Sequence, residues 1–129
     1  MNIGEAAKAS GVSAKMIRYY EATGLLREAA RRGNGYRDYG SADVHELRFI
    51  RRARTLGFAT TEIVVLLSLW RDRSRASREV HALASRHVVD LEARIAEMQA
   101  MTETLRRLVA ACHGDDRPDC PILEDLGGR

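Results

Sequence analysis

Between Ser77 and Ala111 the chain contains neither proline nor glycine. Both residues disfavour a helix interior, proline by losing an N–H and clashing with the preceding turn, glycine by its backbone freedom. Their absence over such a length predicts one continuous helix from about residue 78 to 111. Within it Leu91, Met98, Leu105 and Cys112 share one heptad position, and Val88, Ile95, Thr102 and Val109 share the other apolar one. The 3–4 spacing holds for about three heptads, with Thr102 as the polar exception. At about 1.5 Å per residue this helix projects roughly 50 Å. A chain of 129 residues has no head large enough to bury that length. The expected cover for the stripe is the same helix of a second copy, giving a homodimer.

What precedes the helix has a different character. Residues 1–60 carry 11 Lys and Arg against 6 Asp and Glu, whereas residues 61–129 carry 10 against 12. A basic front and a slightly acidic back point to a polyanion-facing head with another module behind it. Asn2 and Glu5 stand in capping-box spacing at the start of a first helix that ends at Gly11. Ser13 caps a second helix, AKMIRYYEAT, closed by Gly24. Two short helices about a Gly-Val turn have the outline of a helix-turn-helix. Asn34-Gly35 then signals a hairpin, because a type I′ turn needs positive φ at both central residues. Ser41 caps a third helix through Thr55 or Leu56, and a fourth, TEIVVLLSLW, is apolar enough for a core helix. The polar stretch RDRSRASRE reads as a linker.

The expected fold is therefore mainly α. A winged helix-turn-helix head with a small β-hairpin wing spans residues 1–70, followed by a linker at 71–77. The long dimerisation helix covers 78–111, and a loop with a short helix covers 112–129. No apolar run is long enough for a membrane span, and MNIGEAAKAS lacks the pattern of a secretory leader. A cytoplasmic location with reduced thiols is expected, and no membrane partner.

On the second helix Lys15, Arg18 and Tyr19 fall on one side, where cations and a hydroxyl reach phosphates. Ser13 and Ala14 occupy the helix start, the end that enters the major groove in helix-turn-helix docking. Arg31, Arg32, Tyr36 and Arg37 on the wing would grip the neighbouring backbone, while Tyr20 suits core packing better than DNA. The run IGEAAKASGVSAKMIRYYEATGLL, followed by NGYRDY and RFIRRARTLGF, resembles the winged-helix head of MerR-type transcription regulators in order and spacing. The resemblance covers about residues 1–70, and the long helix matches that family's dimerisation helix, which pairs antiparallel with its twin. It implies a dimer on an inverted repeat of double-stranded promoter DNA. Effector binding would bend and untwist that DNA so that RNA polymerase engages both promoter elements. Arg18, Tyr19, Tyr36 and Arg37 match the family's DNA-contacting positions, with Lys15 an addition.

The only two cysteines, Cys112 and Cys120, flank a loop rich in Gly, Pro and Asp. Two thiols cannot form a multi-disulfide framework. They remain open to three roles: inert packing, a redox pair, or metal ligands. Cys112 ends the long helix, and Cys120 precedes Pro121, a favoured first helical residue. A thiol at a helix start is favoured as thiolate. Thiolates select Cu(I), Zn(II) or iron–sulfur clusters. Structural zinc takes four ligands and a cluster normally four cysteines, whereas Cys112, Cys120 and His113 supply three at most. A monovalent d¹⁰ ion is satisfied by two thiolates, so ligand count favours Cu(I), with Ag(I) and Au(I) as relatives.

ACHGDDRPDCPI also resembles the metal loop of the family's copper(I)-responsive, CueR-like subgroup. Mercury- and zinc-type relatives carry a third cysteine where this chain has Ser77. The resemblance implies that Ser77 comes from the partner subunit, lines the pocket and leaves divalent ions under-coordinated. His113 replaces a residue that is usually not a ligand there. His81 and His87 on the long helix read as packing or surface residues.

The leading expectation is a Cu(I)-sensing transcriptional activator of copper efflux or detoxification genes. A thiol-redox switch using Cys112 and Cys120, a sensor of Ag(I), Au(I) or Zn(II), and a copper buffer that does not bind DNA are the alternatives. Asp115 and Asp116 stand on the loop without a nucleophile–base arrangement, so no enzyme is expected.

Overall fold

The computed structural model describes every residue except Glu28, Arg32, Asn34 and Arg129. The chain divides into two compact units, Met1–Val80 and His81–Arg129.

The first unit opens with α1 (Ile3–Ser10). Asn2 and Glu5 cap it reciprocally, the Glu5 N–H donating to Asn2 Oδ1 at 2.8 Å and the Asn2 N–H to Glu5 Oε1 at 2.9 Å. Gly11 ends it in the left-handed region at φ 76°. That backbone conformation is the reason for glycine here; a Cβ would also meet the Arg51 guanidinium at 2.8 Å, a contact that the flexible arginine can relieve. Ser13 caps α2 (Ala14–Ala22), its hydroxyl accepting from the Met16 N–H at 3.2 Å. The wing is a two-stranded antiparallel sheet of β1 (Ala30–Arg31) and β2 (Arg37–Asp38), with Ala30 opposite Asp38 and Arg31 opposite Arg37. Of the expected Asn34-Gly35 turn, Asn34 lies outside the described residues, as does the wing arginine Arg32; Gly35 has φ 86°.

Helix α3 (Ser41–Thr55) begins one residue earlier than its serine suggests. Gly40 is the N-cap, and its N–H donates to Asp43 Oδ2 at 2.8 Å. The acid at the third helical position reaches back, so Ser41 need not cap. Glu62 does the same for the N–H of Ala59 (2.8 Å) at the start of α4 (Thr60–Arg71). The expectation of α4 as a core helix holds for one face: Ile63, Leu66 and Leu67 are buried, while Val64, Val65 and Trp70 are exposed. Trp70 stacks on Phe49 with ring centres 4.8 Å apart.

The core of this unit joins Ala6, Ile17, Leu26, Tyr39, Leu47, Ile50, Ile63 and Leu67, none more than 1 % exposed. Burying each large aliphatic side chain contributes about 1.5–3 kcal/mol. Polar bridges fix the packed helices. Arg48 donates through Nε and a terminal nitrogen to the carbonyl of Ala9, at 3.1 and 2.9 Å. Arg71 forks onto Glu46 with two contacts of 2.7 Å.

The linker is shorter than expected, because Ser77 already belongs to α5 (Ser77–Ala111), a single helix of 35 residues. In the second unit Val88, Ile95, Met98, Leu105 and Val109 are all at least half exposed. Thr102, the polar member of the stripe, returns its hydroxyl to the Met98 carbonyl at 2.8 Å, which satisfies it within the helix. Helix α6 (Pro121–Gly127) starts on its proline with Cys120 as N-cap.

Candidate nucleic-acid interface and metal loop

Helix α2 carries Lys15, Arg18 and Tyr19 on its exposed side, with Tyr19 52 % accessible. The wing turns back towards it. Arg31 holds the wing's shape by donating to the Gly35 carbonyl at 2.8 Å. Arg18, Arg31, Tyr36 and Arg37 then converge, with Asn2 and Ile3, on one open groove of about 590 Å³. Four of the expected contact residues are thus gathered on one surface, and Tyr36 stands 73 % exposed at its rim. The arrangement suits a phosphate backbone: three guanidinium groups and the Tyr36 hydroxyl line the groove, with no carboxylate among the described lining residues. Tyr20 faces inward as expected, 4 % exposed, and its hydroxyl accepts from Arg54 at 2.7 Å.

One residue behind this face escaped the sequence reading. The Glu21 side chain is only 3 % exposed and lies 3.3 Å from Arg37 Nε. It accepts a short hydrogen bond from the Tyr39 hydroxyl and a longer one, 3.4 Å, from the Ala29 N–H. Burial, reinforced by the bond to Glu21 and its charge, pushes the Tyr39 phenol up to about 12. The signal was present: Glu21 is the one acid in the otherwise basic AKMIRYYEA helix.

In the second unit Cys112 and Cys120 are free thiols, half-buried, with their sulfurs 4.0 Å apart. The Cys112 N–H still donates to the Leu108 carbonyl at 3.1 Å, so the last turn of α5 holds one thiol while the start of α6 presents the other. At a metal–sulfur bond of about 2.3 Å one ion spans this pair at roughly 120°, and separation by about 0.6 Å more brings the three atoms into line. Among the described residues no three His, Cys, Asp or Glu side chains converge as a metal cluster. His113 is exposed beside Cys112. Asp115 is occupied otherwise: it accepts from the Arg117 N–H at 2.9 Å and pairs with the Arg117 guanidinium at 2.9 Å. The Arg117 side chain holds its carboxyl below the usual carboxylate range. Ser77, the expected pocket residue, is exposed at the first position of α5. His81 is exposed, 3.4 Å from the Ser85 hydroxyl, and His87 is buried.

Residues 1–69 match the sequence profile of the MerR HTH family regulatory proteins, and residues 44–108 match that of the MerR DNA-binding region. The chain belongs to the MerR family. It is 61 % identical over 126 residues to heavy metal-dependent transcription regulator 2 of Rhizobium meliloti (strain 1021), covering 98 % of this chain and 86 % of that one. It is 41 % identical over 128 residues to the HTH-type transcriptional regulator CueR of Escherichia coli O157:H7, covering 99 % and 95 %. The transcription regulator PbrR691 from Ralstonia metallidurans CH34, in complex with lead(II), superposes with a TM-score of 0.85 at 32 % identity, covering 98 % of each chain. MerR proteins are DNA-binding transcription regulators, not enzymes. Among the described residues no helix is long and apolar enough to cross a membrane.

Proposed function

We propose that this MerR-family regulator is a cytoplasmic Cu(I) sensor that activates copper efflux or detoxification genes. The observation carrying the reading is the pair of reduced thiols, 4.0 Å apart on one loop, with no cluster of three ligands around them among the described residues. Two thiolates satisfy a monovalent soft ion and leave Zn(II) two ligands short. Heavy-metal dependence in a 61 % identical relative and the 41 % identity to CueR support a soft-metal effector. Ag(I) and Au(I) share the chemistry.

The half-exposed stripe of α5 is the dimer surface, paired with a second copy. That copy contributes Ser77 to the pocket, where a hydroxyl adds little to a soft ion. Lys15, Arg18, Tyr19, Arg31, Tyr36 and Arg37 of each head grip the backbone of an inverted repeat in promoter DNA. Ordering of the loop from Cys112 to Cys120 changes the spacing of the two heads, provided the ion binds one arrangement better than the other. The distorted duplex, which costs on the order of several kcal/mol, then suits RNA polymerase.

A divalent ion is the second reading, favoured by the lead(II) complex of a structural relative. It would draw His113 into the site. An anaerobic titration of the reduced protein with Cu(I) against a competing chelator, with Zn(II) in parallel, decides between them. One Cu(I) per subunit, bound far more tightly than Zn(II), supports the first reading. Equal or better Zn(II) binding supports the second, and binding of neither leaves a thiol switch.

A further inference from the structure

Glu21 stands behind the proposed DNA face, on the same helix as Lys15, Arg18 and Tyr19, and its carboxylate is almost wholly buried. A buried carboxylate needs compensation, and here three contacts from the wing supply it. Ala29 precedes β1, Arg37 opens β2 and Tyr39 follows β2, and each meets Glu21. A hairpin with two residues per strand is too small to hold a fixed angle alone. One side chain of α2 therefore ties both arms of the wing to the helix. The same Arg37 that meets Glu21 on one side lines the groove with Arg18, Arg31 and Tyr36 on the other.

We infer that Glu21 is a positioning residue for DNA binding, aiming the Arg37 guanidinium into the groove and offsetting its charge there. The inference rests on the groove being the DNA face. Arg37 then contributes direction more than counterion release, whereas Arg18, exposed on α2, contributes release.

The test is fluorescence anisotropy of the full-length protein on a random-sequence DNA duplex across a salt series. R18A should flatten the plot of log affinity against log salt by roughly 0.9; an unchanged slope refutes the DNA face, and the Glu21 proposal with it. With that control met, E21Q should steepen the slope by up to about 0.9, because glutamine keeps the shape and removes the offsetting charge. In an R37Q background the same E21Q change should leave the slope where R37Q put it, because Glu21 acts through Arg37. Should E21Q fail to fold, R37K carries the test: its charge is kept and its planar fork lost, so affinity should fall about tenfold at unchanged slope. A wild-type slope in folded E21Q, an equal shift in both backgrounds, or wild-type affinity in R37K overturns the proposal.

Discussion

The two units of this chain solve the burial problem in opposite ways. The first closes on itself: Ile17, Leu47, Ile50, Ile63 and Leu67 are all fully buried, and arginines stitch its helices together. The second leaves most of its apolar stripe open: Val88, Ile95, Met98, Leu105 and Val109 are each at least half exposed. Both are helical, so the difference lies in the period of their apolar residues. Short helices with a wide apolar face meet each other within one chain, while a narrow 3.5-residue seam runs too long for anything but another long helix. The first unit covers its apolar core residues within itself, and the second is the one whose proposed function needs a second chain and an ion.

The sharpest way to break that contrast is to remove a thiol. Cys112→Ser or Cys120→Ser takes away one of two proposed ligands, so Cu(I) affinity should fall by more than the 10–100-fold typical of an outer-shell partner. DNA binding in the absence of metal should be unchanged, because both cysteines lie in the second unit. Competition titration and anisotropy on the same preparations check both halves. Loss of DNA binding together with metal would mean that the loop is structural and the units are not separable in function.

Next in size is a matched pair of core deletions. Leu47→Ala empties a site with no exposure and should cost about 2–5 kcal/mol. Denaturant melts of this variant should shift equally at all protein concentrations. Ile95→Asp on α5 should instead weaken association, seen as a dimer-to-monomer shift by sedimentation that dilution enhances. A concentration-independent effect of Ile95→Asp would contradict the seam.

These two surfaces also mark where the sequence was informative. The long helix, its stripe and the caps at Asn2 and Ser13 were legible because each depends on neighbours within a turn or a heptad. Placing the Gly40 cap was harder, since Ser41 and Asp43 compete for the same role and only the backbone decides. The exposed side of α4 was hidden because an almost continuous apolar run does not reveal which face is buried. Glu21 and Tyr39, 18 residues apart, could not be paired from sequence, because a hydrogen bond across a wing depends on tertiary distance alone. The gathering of Arg18, Arg31, Tyr36 and Arg37 on one groove was anticipated as a list of residues but not as a surface. Cys112 and Cys120 were legible as a loop pair, yet their 4.0 Å separation is a product of the fold.

The Glu21–Tyr39 pair gives a prediction of intermediate size, confined to the first unit. Tyr39 titrates near 10 when exposed and at about 12 in the fold. The unfolded chain therefore loses this proton first as pH rises. The contribution is fully present below about 10 and disappears as pH climbs through 12, with an upper limit of roughly 2.7 kcal/mol. Stability measured between pH 9 and 12 should fall less steeply in Tyr39→Phe than in the wild type. Parallel pH profiles would mean that the phenol is not held up by its site.

The smallest effect should come from the ion pair that looks most like Glu21–Arg37 but lies in the open unit. Asp115 and Arg117 are joined by a backbone and a side-chain contact at 2.9 Å, yet both side chains are about half exposed. Solvent screens such a pair, and the backbone N–H that Asp115 accepts survives removal of the guanidinium. Arg117→Ala should therefore change Cu(I) affinity by less than about threefold, a small figure because exposed pairs contribute little. The same chelator competition used for the cysteine variants reads it. A large loss would show that the loop is held in its metal-ready shape before the ion arrives, and the second unit would then share the built-in order of the first.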